Sequence, residues 1–190
     1  MEQTLKSITK VYIEKHINAA SRLDIPEIDK GIELIFNALE NSNQIFTMGN
    51  GGSAATASHY IADWNKGISY QKKKRLKGIC LNDNVPTVMA YSNDVSYESI
   101  FVEQLKNFMQ EGDLIIGISG SGNSMNVIKA IEYANENGGA TLGICGYNGG
   151  KLKQIAQHSI WVNVNDMQIV EDLHLAFGHI VMQTLCGYKI

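Results

Sequence analysis

The spacing of apolar and polar positions changes once along this chain. Up to residue 41 the apolar residues recur at helical intervals. Ile28, Ile32, Ile35 and Leu39 share one face, and Pro26 suits a first helical turn. Leu5, Ile8, Tyr12 and Ile17 carry the pattern upstream, and Asp24-Ile25-Pro26 marks a break between two helical segments. Short apolar runs then appear at 45–48, 78–81, 114–118, 140–145 and 159–164. Segments of helical length separate them at 53–65, 97–110, 124–137 and 150–157, and a last helix is predicted over 166–187. Apolar strands alternating with helices predict βαβ units and a parallel sheet covered on both faces. The chain reads as one domain, 1–190, with an N-terminal helical arm over 1–41 and an α/β core over 42–190. The arm keeps an apolar face that the sheet need not cover, so a contact with another copy is expected.

Two glycine-serine loops interrupt this pattern. Gly49-Asn50-Gly51-Gly52-Ser53 follows the first apolar run, and Ser119-Gly120-Ser121-Gly122-Asn123-Ser124 follows the third. Each sets bare backbone N–H groups and small hydroxyls at the start of a helix, the arrangement that holds a phosphate or another anion. A tight βα turn with serine caps is the plainer reading of either loop alone. Two loops at equivalent strand ends point to a phosphorylated small molecule. Neither has the glycine spacing of a dinucleotide fingerprint or a P-loop. Ligands in open α/β sheets sit beyond the carboxyl ends of the strands. Both loops fall there, and so does Asn93-Asp94, read as part of the loop after the run at 78–81.

Titratable groups add candidate chemistry. His59 and Asp63 lie four apart on the helix that starts at Ser53, so their side chains share a face. Such a pair suits a metal, an acid/base couple, or simple helix stabilisation. The last helix carries Glu171, Asp172, His174 and His179 among apolar neighbours. Buried carboxylates and imidazoles need partners, so this group is either a functional set or a core histidine paired with a carboxylate. Lys72-Lys73-Lys74-Arg75 reads as a solvated loop rather than a steering rim.

Composition narrows the classes. With 190 residues, 44% hydrophobic and 18% charged, the chain suits a well-buried globular core. A net charge of −3 supplies no global field for nucleic acid or anionic membrane, so neither is expected as a partner. The polar start Met1-Glu2-Gln3-Thr4-Leu5-Lys6 has no secretory apolar region, and no apolar run is long enough to span a bilayer. The three scattered cysteines, Cys80, Cys145 and Cys186, suit reduced, buried thiols in a cytoplasmic protein; nothing supports a catalytic cysteine.

At these residues the chain resembles the phosphoheptose isomerases of the sugar isomerase (SIS) domain superfamily. The matching stretches are Gly49 to Ser53 with His59, then Asn93-Asp94, then Gly117 to Ser124 with Asn126-Val127. Gly149-Gly150 and the Glu171-to-His179 helix complete the set, and the likeness runs from about residue 30 to the end of the chain. The resemblance implies a flavodoxin-like five-stranded parallel sheet and a homotetramer with active sites between subunits. It also implies aldose–ketose isomerisation of a phosphorylated seven-carbon sugar, sedoheptulose 7-phosphate, through an enediol(ate). Carried over, Ser119, Gly120, Ser121 and Ser124 would hold the phosphate. Asn50, Gly51, Gly52, Ser53, Asn93 and Asp94 would line the sugar. His59, Asp63, Glu171 and His179 would form the site that binds zinc in some members, one ion per subunit, and no nucleotide or redox cofactor is implied. The residue at 63 would be the base and His179 the acid.

Two positions depart from the family. Asp63 stands where it usually has Glu, and Glu171 where it commonly has Gln. The shorter Asp63 leaves three readings, a poorer base, a substrate seated deeper, or Glu171 in the base role, and about 1 Å of misplacement can cost 10²-fold in rate. A His/His/Asp/Glu set also puts two formal negative charges against a divalent metal, so it is expected to hold zinc at least as tightly as the usual pattern. Two further readings are a non-catalytic SIS tetramer that binds a protein partner, as a replication-initiator-binding relative does, and a sugar-phosphate sensor. Joint presence of His59, Asp63, Glu171 and His179 favours the enzyme.

Overall fold

The computed structural model describes residues 2–187. In chain order the elements are α1 (Glu2–Ala20), α2 (Ile25–Asn41), β1 (Gln44–Gly49), α3 (Gly52–Asp63), β2 (Lys77–Cys80), α4 (Val85–Asp94), α5 (Val102–Phe108), β3 (Leu114–Ser119), α6 (Met125–Glu136), β4 (Ala140–Cys145), α7 (Gly150–Ile155), β5 (His158–Trp161) and α8 (Met167–Cys186). A π-helical turn, Trp64–Ile68, prolongs α3, and a 3-10 turn, Tyr97–Ser99, precedes α5. All strand pairs are parallel, in the order β2-β1-β3-β4-β5. That is the flavodoxin-like order, and its reversal point lies between β1 and β3.

The strands divide their side chains between two helical layers, as their period of two requires. Ile45, Leu114, Ile116, Leu142 and Ile160 pack with α2, α3 and α8. Phe46, Met48, Ile115 and Cys145 pack with α5, α6 and α7. The central strands β1, β3 and β4 are almost wholly buried, whereas β2 and β5 sit at the edges and are partly exposed. That is why the three central runs are continuously apolar in sequence.

Helix α2 starts where Asp24 accepts a hydrogen bond from the Glu27 N–H and Pro26 occupies the first turn. Its stripe of Ile28, Ile32 and Ile35 is buried against the sheet. Helix α1 instead lies along α8, held by a Tyr12 hydroxyl bond to Asp172 and a 3.3 Å ion pair between Lys15 and Asp166. Leu5, Ile8, Ile13 and Ile17 remain exposed along it. Among the described residues, no helix is long and apolar enough to cross a membrane.

The reading of 78–110 needs correction. Residues 85–94 form a helix rather than a loop, so Asn93 and Asp94 close α4 instead of following a strand directly. The helix has no buried residue, hence no apolar stripe for periodicity to detect. Its start is local: Asn84 accepts from the Thr87 N–H, and Pro86 lies in the first turn. The helix expected over 97–110 is the 3-10 turn and the shorter α5.

Candidate active site

The two loops meet at the carboxyl ends of β1 and β3, on either side of the reversal in strand order. Asn126, only 2% exposed, ties them together. Its amide pairs reciprocally with Asn50, at 2.9 and 2.8 Å, and the Tyr97 hydroxyl donates to the same Asn50 oxygen at 2.8 Å. Sequence reasoning gave no role to Tyr97 and assigned none to Asn126 beyond its place in a matching stretch. The only signal for Asn126 was an amide in the first turn of an apolar helix.

The second loop is tightly wound. Ser119 and Ser124 place their hydroxyl oxygens 3.0 Å apart, Gly122 N–H donates to Ser119 Oγ at 3.1 Å, and Asn123 N–H donates to Ser121 Oγ at 3.2 Å. Gly122 has φ of +69°, and a Cβ there would stand 2.0 Å from the Gly149 carbonyl oxygen. The turn before α7 therefore braces the loop. Gly146 and Leu152 N–H groups donate to the carbonyls of Gly120 and Gly122, each at 2.9 Å. This explains why Gly149-Gly150 belongs with the loops.

These elements enclose a cleft of about 220 Å³, lined by Asn50, Ser53, Ser119, Gly120, Ser121 and Ser124 together with Glu171. Gly52 sits directly under Glu171. A Cβ at Gly52 would lie 2.5 Å from a Glu171 oxygen, so the missing side chain is what admits the carboxylate. Glu171 thus stands at the N-terminus of α3, where the helix dipole favours negative charge. Among the described residues it has no hydrogen-bond partner and is free to meet a ligand.

Helices α3 and α8 run side by side in the same direction. Tyr60 stacks on Trp64 at 4.8 Å and donates to the His174 carbonyl, and Trp64 Nε1 donates to the Gly178 carbonyl at 3.0 Å. A Cβ at Gly178 would meet the Tyr60 ring at 2.2 Å, so glycine permits the close approach. This packing brings His179 to His59 and Asp63. The two Nε2 atoms are 3.1 Å apart, His59 lies 3.2 Å from Asp63 Oδ2, and His179 lies 3.8 Å from it. All three ligand atoms fall within 4.8 Å of one another. Tetrahedral zinc with bonds of about 2.1 Å would separate its ligand atoms by roughly 3.4 Å. A His/His/Asp set with a remaining open position therefore fits such an ion.

Glu171 is not in that group. It precedes His179 by eight residues, roughly 12 Å along the helix axis. Within one chain, the four-residue set implied by resemblance divides into a trio and a separate carboxylate in the cleft. Asn93 and Asp94 also lie outside the cleft. Both are exposed, with Asn93 Nδ2 donating to Asp94 Oδ1 at 2.7 Å. Burial pushes the Cys80 thiol up to about 11 and the Cys145 thiol up to about 12, so both remain protonated and unreactive.

The fold and the paired loops define a SIS domain protein, and the SIS domain family model matches residues 11–146. The chain is 35% identical over 177 residues to a probable phosphoheptose isomerase of Thermoplasma volcanium, covering 93% of this chain and 90% of that relative. It is also 35% identical over 158 residues to the phosphoheptose isomerase of Aliarcobacter butzleri, covering 83% of each. The solved phosphoheptose isomerase of Neisseria gonorrhoeae superposes with a TM-score of 0.88 at 26% identity, over 95% of this chain and 98% of that one. The chain therefore belongs to the phosphoheptose isomerase family of SIS domain proteins, and is a phosphosugar isomerase.

Proposed function

We propose that the protein interconverts sedoheptulose 7-phosphate and D-glycero-D-manno-heptose 7-phosphate through an enediol(ate), with Glu171 as the base. The observation that carries this reading is the shared cleft, which a carboxylate without a hydrogen-bond partner among the described residues lines together with the serine loop. Ser119, Ser121, Ser124 and the Gly120 backbone bind the phosphate, with hydroxyls and N–H groups turned from one another to its oxygens. Asn50, Gly51, Gly52 and Ser53 hold the sugar hydroxyls. Glu171 removes a proton from C1 of the ketose and returns it to C2. His179 moves the second proton between O1 and O2.

Among the residues assigned by resemblance that stand outside the cleft, His59, His179, Asn93 and Asp94 are exposed and Asp63 is partly exposed. Exposure is what groups completing a neighbour's site require. We therefore place the active sites of a homotetramer between subunits, each cleft completed by the trio of another copy. His59, Asp63 and His179 would hold a zinc ion, one per subunit, and Lewis-acid polarisation of the substrate carbonyl would then stand in for the proton shuttle of His179, whose Nε2 the metal would occupy. Asp63 orients the two imidazoles.

Incubation with sedoheptulose 7-phosphate in D2O, followed by NMR, tests the reading. Aldose formation with solvent deuterium entering the carbon skeleton is expected. Binding with neither aldose nor exchange would overturn it.

A further inference from the structure

A second cleft, of about 720 Å³, opens beside the serine loop beyond the ends of β4 and β5. It shares Ser121 and Tyr147 with the active cleft. Four asparagines, Asn123, Asn148, Asn163 and Asn165, line it together with Tyr147 and Trp161, and among the described residues no carboxylate, lysine, arginine or histidine does. The segment Trp161-Val162-Asn163-Val164-Asn165 alternates. Val162 and Val164 turn inward onto Ala19 and Ile169, leaving Trp161, Asn163 and Asn165 on the cleft side. Among the described residues, the Asn163 and Asn165 side chains make no hydrogen bond. Asn148 commits only its oxygen, to the Gly150 N–H at 3.1 Å.

Trp161 is held in place before any ligand arrives. Its Nε1 donates to the Tyr147 carbonyl at 3.0 Å, and Lys153 Nζ lies 3.2 Å from the ring centroid. Lys153 lines a different cleft, with Leu23 and Glu27, so it caps the face of the ring turned away from the asparagines. The other face is available as a flat apolar platform. Rigid groups of this kind lose little entropy on binding.

We propose that this cleft is a second ligand site, for a neutral polyhydroxylated molecule: a free sugar or polyol. The uncommitted amides of Asn163 and Asn165 each offer a donor and an acceptor, which matches a hydroxyl, and the Asn148 nitrogen adds a donor, whereas the Asn123 amide already accepts from the Lys151 N–H at 3.0 Å and donates to the Ser121 carbonyl. The indole face matches the C–H face of a sugar ring. The absence of charge disfavours an anion or a cation, and the volume suits a small organic ligand. The occupant is a molecule separate from the substrate, because a terminal phosphate in the serine loop leaves the substrate's carbon chain running toward Glu171. The two clefts are linked through Ser121, whose hydroxyl accepts from the Asn123 N–H and whose carbonyl accepts from the Asn123 amide at 3.0 Å. A ligand that recruits the Asn123 side chain alters the phosphate loop, so it changes KM for the phosphosugar more than kcat.

The test titrates the full-length protein with D-mannose, D-mannitol and unphosphorylated sedoheptulose, by calorimetry and by tryptophan fluorescence. Trp64 is buried in the core, so a change in emission reports Trp161. Saturable binding of at least one of these sugars is expected. Saturating inorganic phosphate should shift its affinity without abolishing it, because the coupling through Asn123 is reciprocal, Ser124→Ala should leave the binding saturable, and the Asn163→Ala/Asn165→Ala pair should weaken it at least tenfold while basal isomerase activity is kept. Trp161→Phe should abolish the emission change and weaken the calorimetric affinity. The proposal is overturned if none of the three binds saturably, or if uridine binds in their place. It is equally overturned if phosphate or Ser124→Ala abolishes the sugar binding, because the sugar would then occupy the active cleft.

Discussion

The Glu171 carboxylate rests on Gly52, at a spot where an alanine methyl would lie 2.5 Å from its oxygen. Gly52 is also the first residue of α3, where alanine favours the helix over glycine by up to about 1 kcal/mol. Gly52→Ala should therefore leave thermal stability unchanged or slightly raised, because the flexible Glu171 can swing aside. Its rate should fall about 10²-fold, the consequence of displacing a reacting group by an ångström. Melting temperature and kcat measured on the same preparation check both halves.

Glu171→Gln and Asp63→Asn separate the two candidate bases. Glu171→Gln should lower kcat by about 10²–10⁴-fold, the usual contribution of a proton-transfer group, while phosphate still binds through the serine loop. Asp63→Asn should retain measurable turnover and instead weaken metal binding, since Asp63 holds two imidazoles rather than facing the cleft. A dead Asp63→Asn beside an active Glu171→Gln would return the base to Asp63.

Metal removal probes the trio directly. A chelator should strip zinc from the purified protein, and His59→Ala should lower metal affinity by 10-fold or more, since each ligand atom of the trio faces the other two. Metal content by mass spectrometry gives the readout, and full zinc occupancy in His59→Ala would remove the trio from consideration.

Gly178→Ala should damage both fold and trio. The added methyl meets Tyr60, whose ring is stacked on Trp64 and bonded to the His174 carbonyl, so the ring cannot retreat. The α8 backbone must move instead. Overpacking of this kind costs about 1–3 kcal/mol, and the shift carries His179 away from His59 and Asp63. Urea denaturation should report the first effect, and zinc titration the second.

The sheet and both glycine-serine loops were legible in the sequence for a physical reason. Three central strands buried on both faces must be apolar throughout, and a loop wound as tightly as Ser119–Ser124 against the Gly149 carbonyl must be rich in glycine and serine. Helix α4 was not legible because it buries no side chain. Asn126 and Tyr97 were not legible as site residues because their roles come from Asn50, 76 and 47 residues away. The separation of Glu171 from the trio was hidden for a different reason. Helical spacing shows that Glu171 and His179 lie on neighbouring faces, but grouping them passed over roughly 12 Å of axial distance, which decides whether two side chains can share one ion. The Asn163 and Asn165 cleft left no trace, since an alternating polar strand end looks like ordinary solvent-facing chain.

His174 supplies a prediction about acid. It is 1% exposed, and among the described residues neither ring nitrogen has a hydrogen-bond partner. Burial lowers its pKa to about 4, with the Cys145 backbone acting in the opposite direction. The native state therefore keeps the ring neutral where the unfolded chain, with an ordinary histidine near 6.5, already takes up a proton. Above pH 6.5 neither state binds that proton, and the group adds no pH dependence. As pH falls from 6.5 to 4 the unfolded state gains protons relative to the native state, so stability is lost across that window. At 1.36 kcal/mol per pKa unit the loss reaches about 3 kcal/mol near pH 4. His174→Leu removes both the titration and two unpaired buried nitrogens. It should flatten the stability profile between pH 6.5 and 4 and leave neutral-pH stability no lower than that of the parent. Urea midpoints at pH 7, 6, 5 and 4 decide the matter, and an unchanged acid slope in His174→Leu would assign the acid sensitivity to other groups.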